Sequence, residues 1–254
     1  MREFTVFLVE NPGIALLAVM MAACLAAGLA WRHVQAASPA LREARGLRIA
    51  AVFGLAGFGV FVLAAVSLHA GSGIDAFDRL LAAGLAAEAS PALLRLLSWF
   101  THLGDRDGLI VLGAIVLAML TWRRHGRLAV LWVIGTAGAG ILNMVLKRGF
   151  ARVRPEFLHG YADAQGWSFP SGHATGAMAV YGMLCYLVLR LAPPRWHLPS
   201  LLAASCLILA VGWSRVVLQV HYFSDVAAAF GVTAAWLALC VGLGHRALWA
   251  PGGA

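Results

Sequence analysis

Seven apolar runs, most of them close to 20 residues long, constrain this chain more than anything else in it; they lie at about 12–31, 48–70, 107–122, 127–147, 172–192, 198–218 and 221–245. A helix rises about 1.5 Å per residue, so about 20 residues cross a hydrocarbon layer of about 30 Å. The runs are rich in Ala and Leu and lack a period-2 alternation, which argues against the strands of a membrane barrel. With 61% hydrophobic and 12% charged residues in a chain of 254, the composition is too apolar for an ordinary soluble domain. The expected fold is an all-α integral membrane protein.

The run 12–31 is long for the core of a signal peptide, and it is followed directly by Arg32 and His33 and preceded by Glu3 and Glu10 beside Arg2. It is expected to stay as a helix, although Val34 and Ala36 would suit a cleavage site. Residues 71–105 differ from the runs. Asp75, Asp78, Arg79, Glu88 and Arg95 interrupt apolar positions such as Leu80, Leu85, Leu93 and Leu97, and Ser90-Pro91 divides the stretch. It reads as two short amphipathic segments on the membrane surface, most simply a connector and alternatively a guide for a lipid. Placing the Arg-rich segments 32–47, 123–127, 190–197 and the tail in the cytoplasm puts 71–106 and 148–169 together on the other side. Seven spans then leave the N-terminus outside and the C-terminus inside. Trp31, Trp99, Trp122, Trp196 and Trp213 fall near span ends or in the interfacial stretch, as an aromatic belt would.

The formal net charge of +8 would suit nucleic acid, but the arginines fall largely in short loops as orientation signals, and no nucleic-acid partner is expected. Cys24, Cys185, Cys206 and Cys240 all lie inside apolar runs, with no metal spacing and no disulfide expected. Among 19 basic residues there is one lysine, Lys147, and its place in a polar cluster mildly favours a role for a compact ammonium.

Nearly all the unusual polar residues fall between Lys147 and Asp225, in three clusters at the edges of apolar runs. Charges in such places are costly unless they pair or do chemistry. The first cluster is Lys147, Arg148, Arg152 and Arg154-Pro155. Lys147 and Arg154 are seven residues apart, about two turns if the segment is helical, so both would face one pocket. Arg152 adds a second planar fork of the kind that binds phosphate oxygens in pairs. The second cluster, Phe169-Pro170-Ser171-Gly172-His173, opens an apolar run and reads as a helix N-terminus, with a hydroxyl for capping and a glycine that lets backbone amides approach an anion. The third is Ser214-Arg215, His221 and Asp225. In a helix, His221 and Asp225 would share a face, where the carboxylate fixes the imidazole tautomer. His173 is then free to donate a proton. Together these parts suit phosphoryl transfer by charge stabilisation and positioning, without a metal.

Lys147 with Arg154-Pro155, then Pro170-Ser171-Gly172-His173, then Ser214-Arg215 with His221 and Asp225, resembles the complete three-part signature of the type 2 phosphatidic acid phosphatase (PAP2) superfamily. The resemblance implies that His221 is the nucleophile, forming a phosphohistidine, that Asp225 orients it, and that His173 protonates the leaving group. Lys147, Arg154 and Arg215 would hold the phosphate, with Ser171 and Gly172 completing the cradle. Arg152 and Arg148 are candidate substrate contacts. No metal ion and no cofactor is implied. The family core has six spans, so residues 48–247 would form that core, 1–47 an added N-terminal helix with its cytoplasmic loop, and 248–254 a cytoplasmic tail. Soluble vanadium haloperoxidases share the signature, but the spans exclude them.

The partners expected are the bilayer and a membrane lipid phosphate or diphosphate, such as undecaprenyl pyrophosphate, phosphatidylglycerophosphate or phosphatidate. Resemblance to bacterial members places the protein in the inner membrane with its site facing the periplasm or outside. A lipid phosphotransferase or a lipid A phosphatase would use the same residues. A transporter is disfavoured because the spans carry few polar residues through their depth. His159 and Asp163 read as loop residues, and His69, His102 and His245 as interfacial ones. Asn143 reads as a hydrogen-bonding residue within its span.

Overall fold

The computed structural model describes residues 2–70, 73–156, 160–162 and 165–249, and for Arg2, His69, Ala70 and residues 246–249 it describes the backbone alone. The expectations attached to His159, Asp163 and residues 250–254 lie outside the described residues. Among the described residues there is no strand. The helices are α1 (Arg2–Glu10), α2 (Pro12–Gln35), α3 (Pro39–Ala70), α4 (Gly73–Glu88), α5 (Pro91–Thr101), α6 (Arg106–Trp122), α7 (Gly126–Phe150), α8 (Gly172–Leu191), α9 (His197–Val217) and α10 (Phe223–Trp249).

Six of these, α2, α3 and α7 to α10, are long and apolar enough to cross a membrane. The 17 residues of α6 are at the lower limit for a span. α6 is tied alongside α7 by Trp132 Nε1, which donates to the Gly113 carbonyl at 3.1 Å. The core is thus α3 and α6 to α10, with α2 laid against α9. In lipid there is no water to drive helices together, so close packing and buried hydrogen bonds must do it. At the α3–α10 crossing the small residues Gly54, Gly57, Gly231 and Ala238 let the backbones meet, and a Cβ on Gly57 would come 2.7 Å from the Gly231 carbonyl oxygen. α2 is held to α9 by Trp213 Nε1, which donates to Pro12 O at 3.0 Å, and by Cys24 and Cys206, whose sulfurs are 3.5 Å apart.

Several boundaries differ from expectation: α2 runs on to Gln35 and α10 to Trp249, each about four residues past the expected end. α3 starts at Pro39 rather than near residue 48, so most of the expected 32–47 loop is helix. The stretch Pro39-Ala40-Leu41-Arg42-Glu43-Ala44-Arg45 has proline in the first turn followed by strong helix formers, and its charges had disguised it as loop. At 32 residues α3 outreaches the bilayer, carrying Arg42 and Arg45 into the polar zone. α7 runs on to Phe150, three residues beyond the expected end, and stops where Ala151 turns left-handed at φ 43°.

Ser90-Pro91 divides residues 73–104 as expected: Ser90 Oγ accepts from Leu93 N, and the two parts meet at a bend of 118°. Their apolar faces are not idle. Leu81 and Leu85 of α4 and Leu94 and Leu97 of α5 pack with Val217, Leu218, Val220 and Val226 into one core cluster, joined by Leu8 of α1. The pair therefore lies over the ends of α9 and α10, where the motifs are. At the other end of the bundle Glu43 accepts from Arg190 at 2.6 Å and meets His245 Nδ1 at 3.2 Å.

Candidate active site

The alternation of antiparallel helices brings the ends of α7 and α9 and the starts of α6, α8 and α10 to one end of the bundle. Every motif residue sits there. The first cluster is not one helix, however. Lys147 is in the last turns of α7, whereas Arg154 lies beyond the left-handed Ala151, so their meeting comes from a chain reversal rather than helical spacing. Both converge on the same backbone: Lys147 Nζ donates to Trp167 O at 2.5 Å, and Arg154 Nη2 donates to it at 3.3 Å. Arg154 Nε and Nη2 also bind the carbonyls of Gly166 and Gln165, which aims its Nη1 at His221.

His221 likewise sits outside a helix, just before α10, whose first turn carries Asp225. Arg154 Nη1 is 3.1 Å from His221 Nε2. On the other side of the ring Nδ1 is 3.5 Å from Asp225 Oδ2 and 3.2 Å from Ser168 Oγ, and Ser168 Oγ in turn donates to Asp225 Oδ2. Asp225 Oδ2 also accepts from Tyr222 N at 2.9 Å, so the carboxylate is fixed within its own turn. His221 is buried, and burial pushes its pKa down to about 3, with the charges of Arg154 and Arg215 adding to the fall and Asp225 opposing it. The imidazole is therefore neutral at any physiological pH, the state a nucleophile needs.

The second cluster turns into α8 as its composition suggests, with a cis peptide at Phe169-Pro170. Phe169 is fully buried between Phe61 and Phe150, at ring separations of 6.1 and 4.8 Å. Asn143 of α7 donates to Pro170 O at 3.2 Å and to Thr175 Oγ1 at 2.9 Å, pinning the turn from below. Ser171 N donates to Asp225 O at 3.0 Å. Contrary to the capping role expected of it, the Ser171 side chain caps nothing: its Oγ is buried without a hydrogen-bond partner. A Cβ on Gly172 would lie 3.7 to 3.8 Å from Asn143 Oδ1 and Lys147 Cε, so this glycine is beside the lysine. Arg215 of α9 is almost wholly buried, held by Thr101 Oγ1 through Nη1 at 2.5 Å, and its Nε has no partner. A buried guanidinium N–H and a buried hydroxyl with unused capacity are what a site for an oxyanion leaves behind.

Arg152 is engaged elsewhere than in the substrate contact expected of it. Arg152 donates through Nη1 to Asp225 Oδ1 at 2.7 Å and Ser224 Oγ at 2.8 Å, and through Nη2 to Asp78 Oδ2 at 2.9 Å and Asp75 Oδ1 at 3.2 Å. It stacks 4.1 Å over the Tyr222 ring. With both arms of its fork engaged, its task is to tie α4 to Asp225. Burial pulls its pKa down, but the carboxylates of Asp225 and Asp78 more than offset this and the net shift is upward. Arg148 is exposed at the end of α7.

Six side-chain hydrogen-bond partners of the cluster residues escaped the sequence reading: Asp75, Asp78, Thr101, Asp105, Ser168 and Ser224. Asp105 Oδ1 is 2.9 Å from His173 Nε2, and its Oδ2 is 2.7 Å from His102 Nδ1. Asp78 is buried, accepting from Ser224 N at 3.0 Å and from Ser224 Oγ. None of them belongs to a spaced motif. The one signal available was an acidic residue in an otherwise apolar amphipathic stretch, which for Asp78 read as surface. Among the described residues no group of three or more His, Cys, Asp or Glu side chains is arranged to hold a metal ion.

Comparison with known proteins agrees with this geometry. A family model described as the PAP2 superfamily matches residues 127–249, from the start of α7 to the end of α10, and so contains all three clusters. Phosphatidylglycerophosphatase B of Bacillus subtilis (strain 168) is 31% identical over 182 residues, covering 68% of this chain and 85% of that protein. Lipid A 1-phosphatase of Rhizobium johnstonii is 36% identical over 112 residues, 40% of this chain and 41% of that protein. The crystal structure of a transmembrane PAP2-type phosphatidylglycerolphosphate phosphatase from Bacillus subtilis superposes with a TM-score of 0.71 at 26% identity, covering 78% of this chain and 98% of that one. With this membrane-spanning fold, these polar clusters at one end of it and these relatives, the chain belongs to the PAP2 superfamily and is an integral-membrane lipid phosphate phosphatase.

Proposed function

We propose that the chain hydrolyses a lipid phosphate or diphosphate at the outer face of a bacterial cytoplasmic membrane, by way of a phosphohistidine on His221 and without a metal ion. The observation that carries this is the placing of His221: Nε2 faces the guanidinium of Arg154, and Nδ1 faces Asp225 and Ser168. An incoming phosphate would take up the donors of Arg154, Lys147 and Arg215, with the Ser171 hydroxyl and the first amides of α8 at Gly172 completing the cradle. Nε2 attacks phosphorus and the bond to the leaving oxygen breaks, while His173 gives that oxygen a proton. Asp225 stabilises the charge left on the His221 ring. A water then attacks the phosphohistidine, returns its proton to His173, and releases phosphate. The cationic donors stabilise the equatorial oxygens in both steps, which is where charge develops.

Residues 1–47 are an addition to the catalytic core of 48–247, in this reading. The basic residues at the end opposite the site, among them Arg32, Arg42, Arg45, Arg123, Arg124 and Arg127, favour the cytoplasm for that end and the periplasm or exterior for the site. The names of the relatives point to phosphatidylglycerophosphate or a lipid A 1-phosphate as the first substrates to try, with undecaprenyl pyrophosphate and phosphatidate beside them. The test is phosphate release by detergent-solubilised protein in excess EDTA across that panel, with His221→Ala in parallel. Release that persists in EDTA and disappears in the variant supports the proposal. Release that needs a divalent ion, or survives in the variant, overturns it.

A further inference from the structure

Asp105 belongs to none of the three clusters, yet it grips the imidazole that closes the second one. It is the residue before α6, a place where an aspartate commonly caps the helix, but its side chain makes no capping bond. Its two oxygens go instead to two imidazoles, His173 Nε2 at 2.9 Å and His102 Nδ1 at 2.7 Å. The turn that presents it is fastened to α8 by Tyr181, whose hydroxyl donates to Leu103 O at 2.7 Å. Gly104 lets the turn approach, since a Cβ there would stand 2.5 Å from Val211 and 3.3 Å from the His173 side chain. The charged groups facing His173 are Asp105 before α6, Arg215 on α9 and Arg154 in the loop before α8. Two cations disfavour an imidazolium; the one carboxylate favours it.

We propose that Asp105 is a positioning residue for the general acid. This rests on the assignment of His173 as the proton donor. The carboxylate holds the ring with its Nε2–H occupied, leaving Nδ1 as the nitrogen that gives a proton to the leaving oxygen and takes one from the attacking water. It also supplies the negative charge that lets His173 carry that proton beside Arg154 and Arg215. His102, bonded to the second oxygen, keeps the carboxylate from rotating away.

The test compares leaving groups. An alkyl phosphate needs its leaving oxygen protonated, whereas p-nitrophenyl phosphate expels p-nitrophenolate, a stable anion that needs no proton. Phosphate release from a short-chain phosphatidate and from p-nitrophenyl phosphate is measured against pH for wild type, Asp105→Asn, Asp105→Glu and His173→Ala. For Asp105→Asn the loss of kcat/KM on the alkyl substrate exceeds that on the aryl substrate by about tenfold or more, a part of the range general acids supply. Its alkaline limb moves to lower pH, and Asp105→Glu recovers part of both effects. Equal losses on the two substrates for Asp105→Asn, with an unequal loss for His173→Ala, would overturn the role of Asp105 alone. Equal losses for His173→Ala as well would overturn the assignment of the acid itself.

Discussion

Arg154 Nη1 stands 3.1 Å from His221 Nε2. A guanidinium can only donate, so Nε2 presents its lone pair and the ring proton sits on Nδ1, toward Ser168 and Asp225. This is the tautomer that the proposed attack at phosphorus needs, and contacts on both sides of the ring favour it. The same arginine that would bind the phosphate marks the place where its phosphorus must come.

The neutral state of His221 has a consequence for stability. Its pKa is about 3 in the folded protein, mainly through burial, and about 6.5 in an unfolded chain. Below about pH 6.5 the unfolded chain takes up a proton that the folded one refuses, so stability is lost as pH falls from there towards about 3 and levels below it. Thermal melting of the wild type in detergent is expected to decline over that window more steeply than melting of His221→Gln. Parallel curves would contradict the assignment.

Ser168 bonds both His221 Nδ1 and Asp225 Oδ2. In the proposed mechanism its buried hydroxyl fixes the relative placing of nucleophile and carboxylate. Ser168→Ala should therefore lower kcat by about tenfold and leave KM nearly unchanged, the pattern for an interaction that matters in the transition state. A raised KM at constant kcat would show that it binds substrate instead.

Asp78 and Arg152 form a buried pair between α4 and the Asp225 turn, with Asp78 side-chain exposure of 0% and Arg152 of 10%. Removing the Asp78 charge leaves Arg152 with Asp225 and Asp75 as its remaining carboxylates, so the cost falls below the about 3–5 kcal/mol of a buried charge stripped of its only partner. Asp78→Asn should lower the melting temperature and reduce turnover together. Unchanged melting would mean that α4 is held by its leucines alone.

The sulfurs of Cys24 on α2 and Cys206 on α9, 3.5 Å apart, offer a direct check on where the N-terminal helix docks. Mild oxidation with copper phenanthroline should join them within one chain, removing the two thiols as one disulfide, and Cys24→Ser should prevent it. A cross-link between two chains, or to Cys185 or Cys240, would place α2 elsewhere.

How much of this was legible in the sequence depended on the kind of signal. The spans were readable because a bilayer demands uninterrupted apolar length, and what was misjudged were span ends, above all the charged start of α3 at Arg42-Glu43. The residues that face the site were readable because Lys147, Arg154, His173, Arg215, His221 and Asp225 are costly where they stand unless used. Their geometry was not. Arg154 reaches Lys147 through a reversal at Ala151, which no periodicity announces. Arg152 looked like another phosphate ligand because its partners Asp75 and Asp78 lie more than 70 residues away, on a segment whose charges suggested a solvated face. Ser168 and Asp105 had no signal at all, since a serine or an aspartate beside a helix start is ordinary.

The central claim is that His221 carries the phosphoryl group, and the direct measurement is to trap it. Protein mixed with lipid phosphate labelled at phosphorus and quenched in alkali within milliseconds should carry label on a His221 peptide, stable to alkali and released by acid. The label should be absent from His221→Ala. Turnover at full rate with no labelled protein, or label on any other residue, would contradict the account.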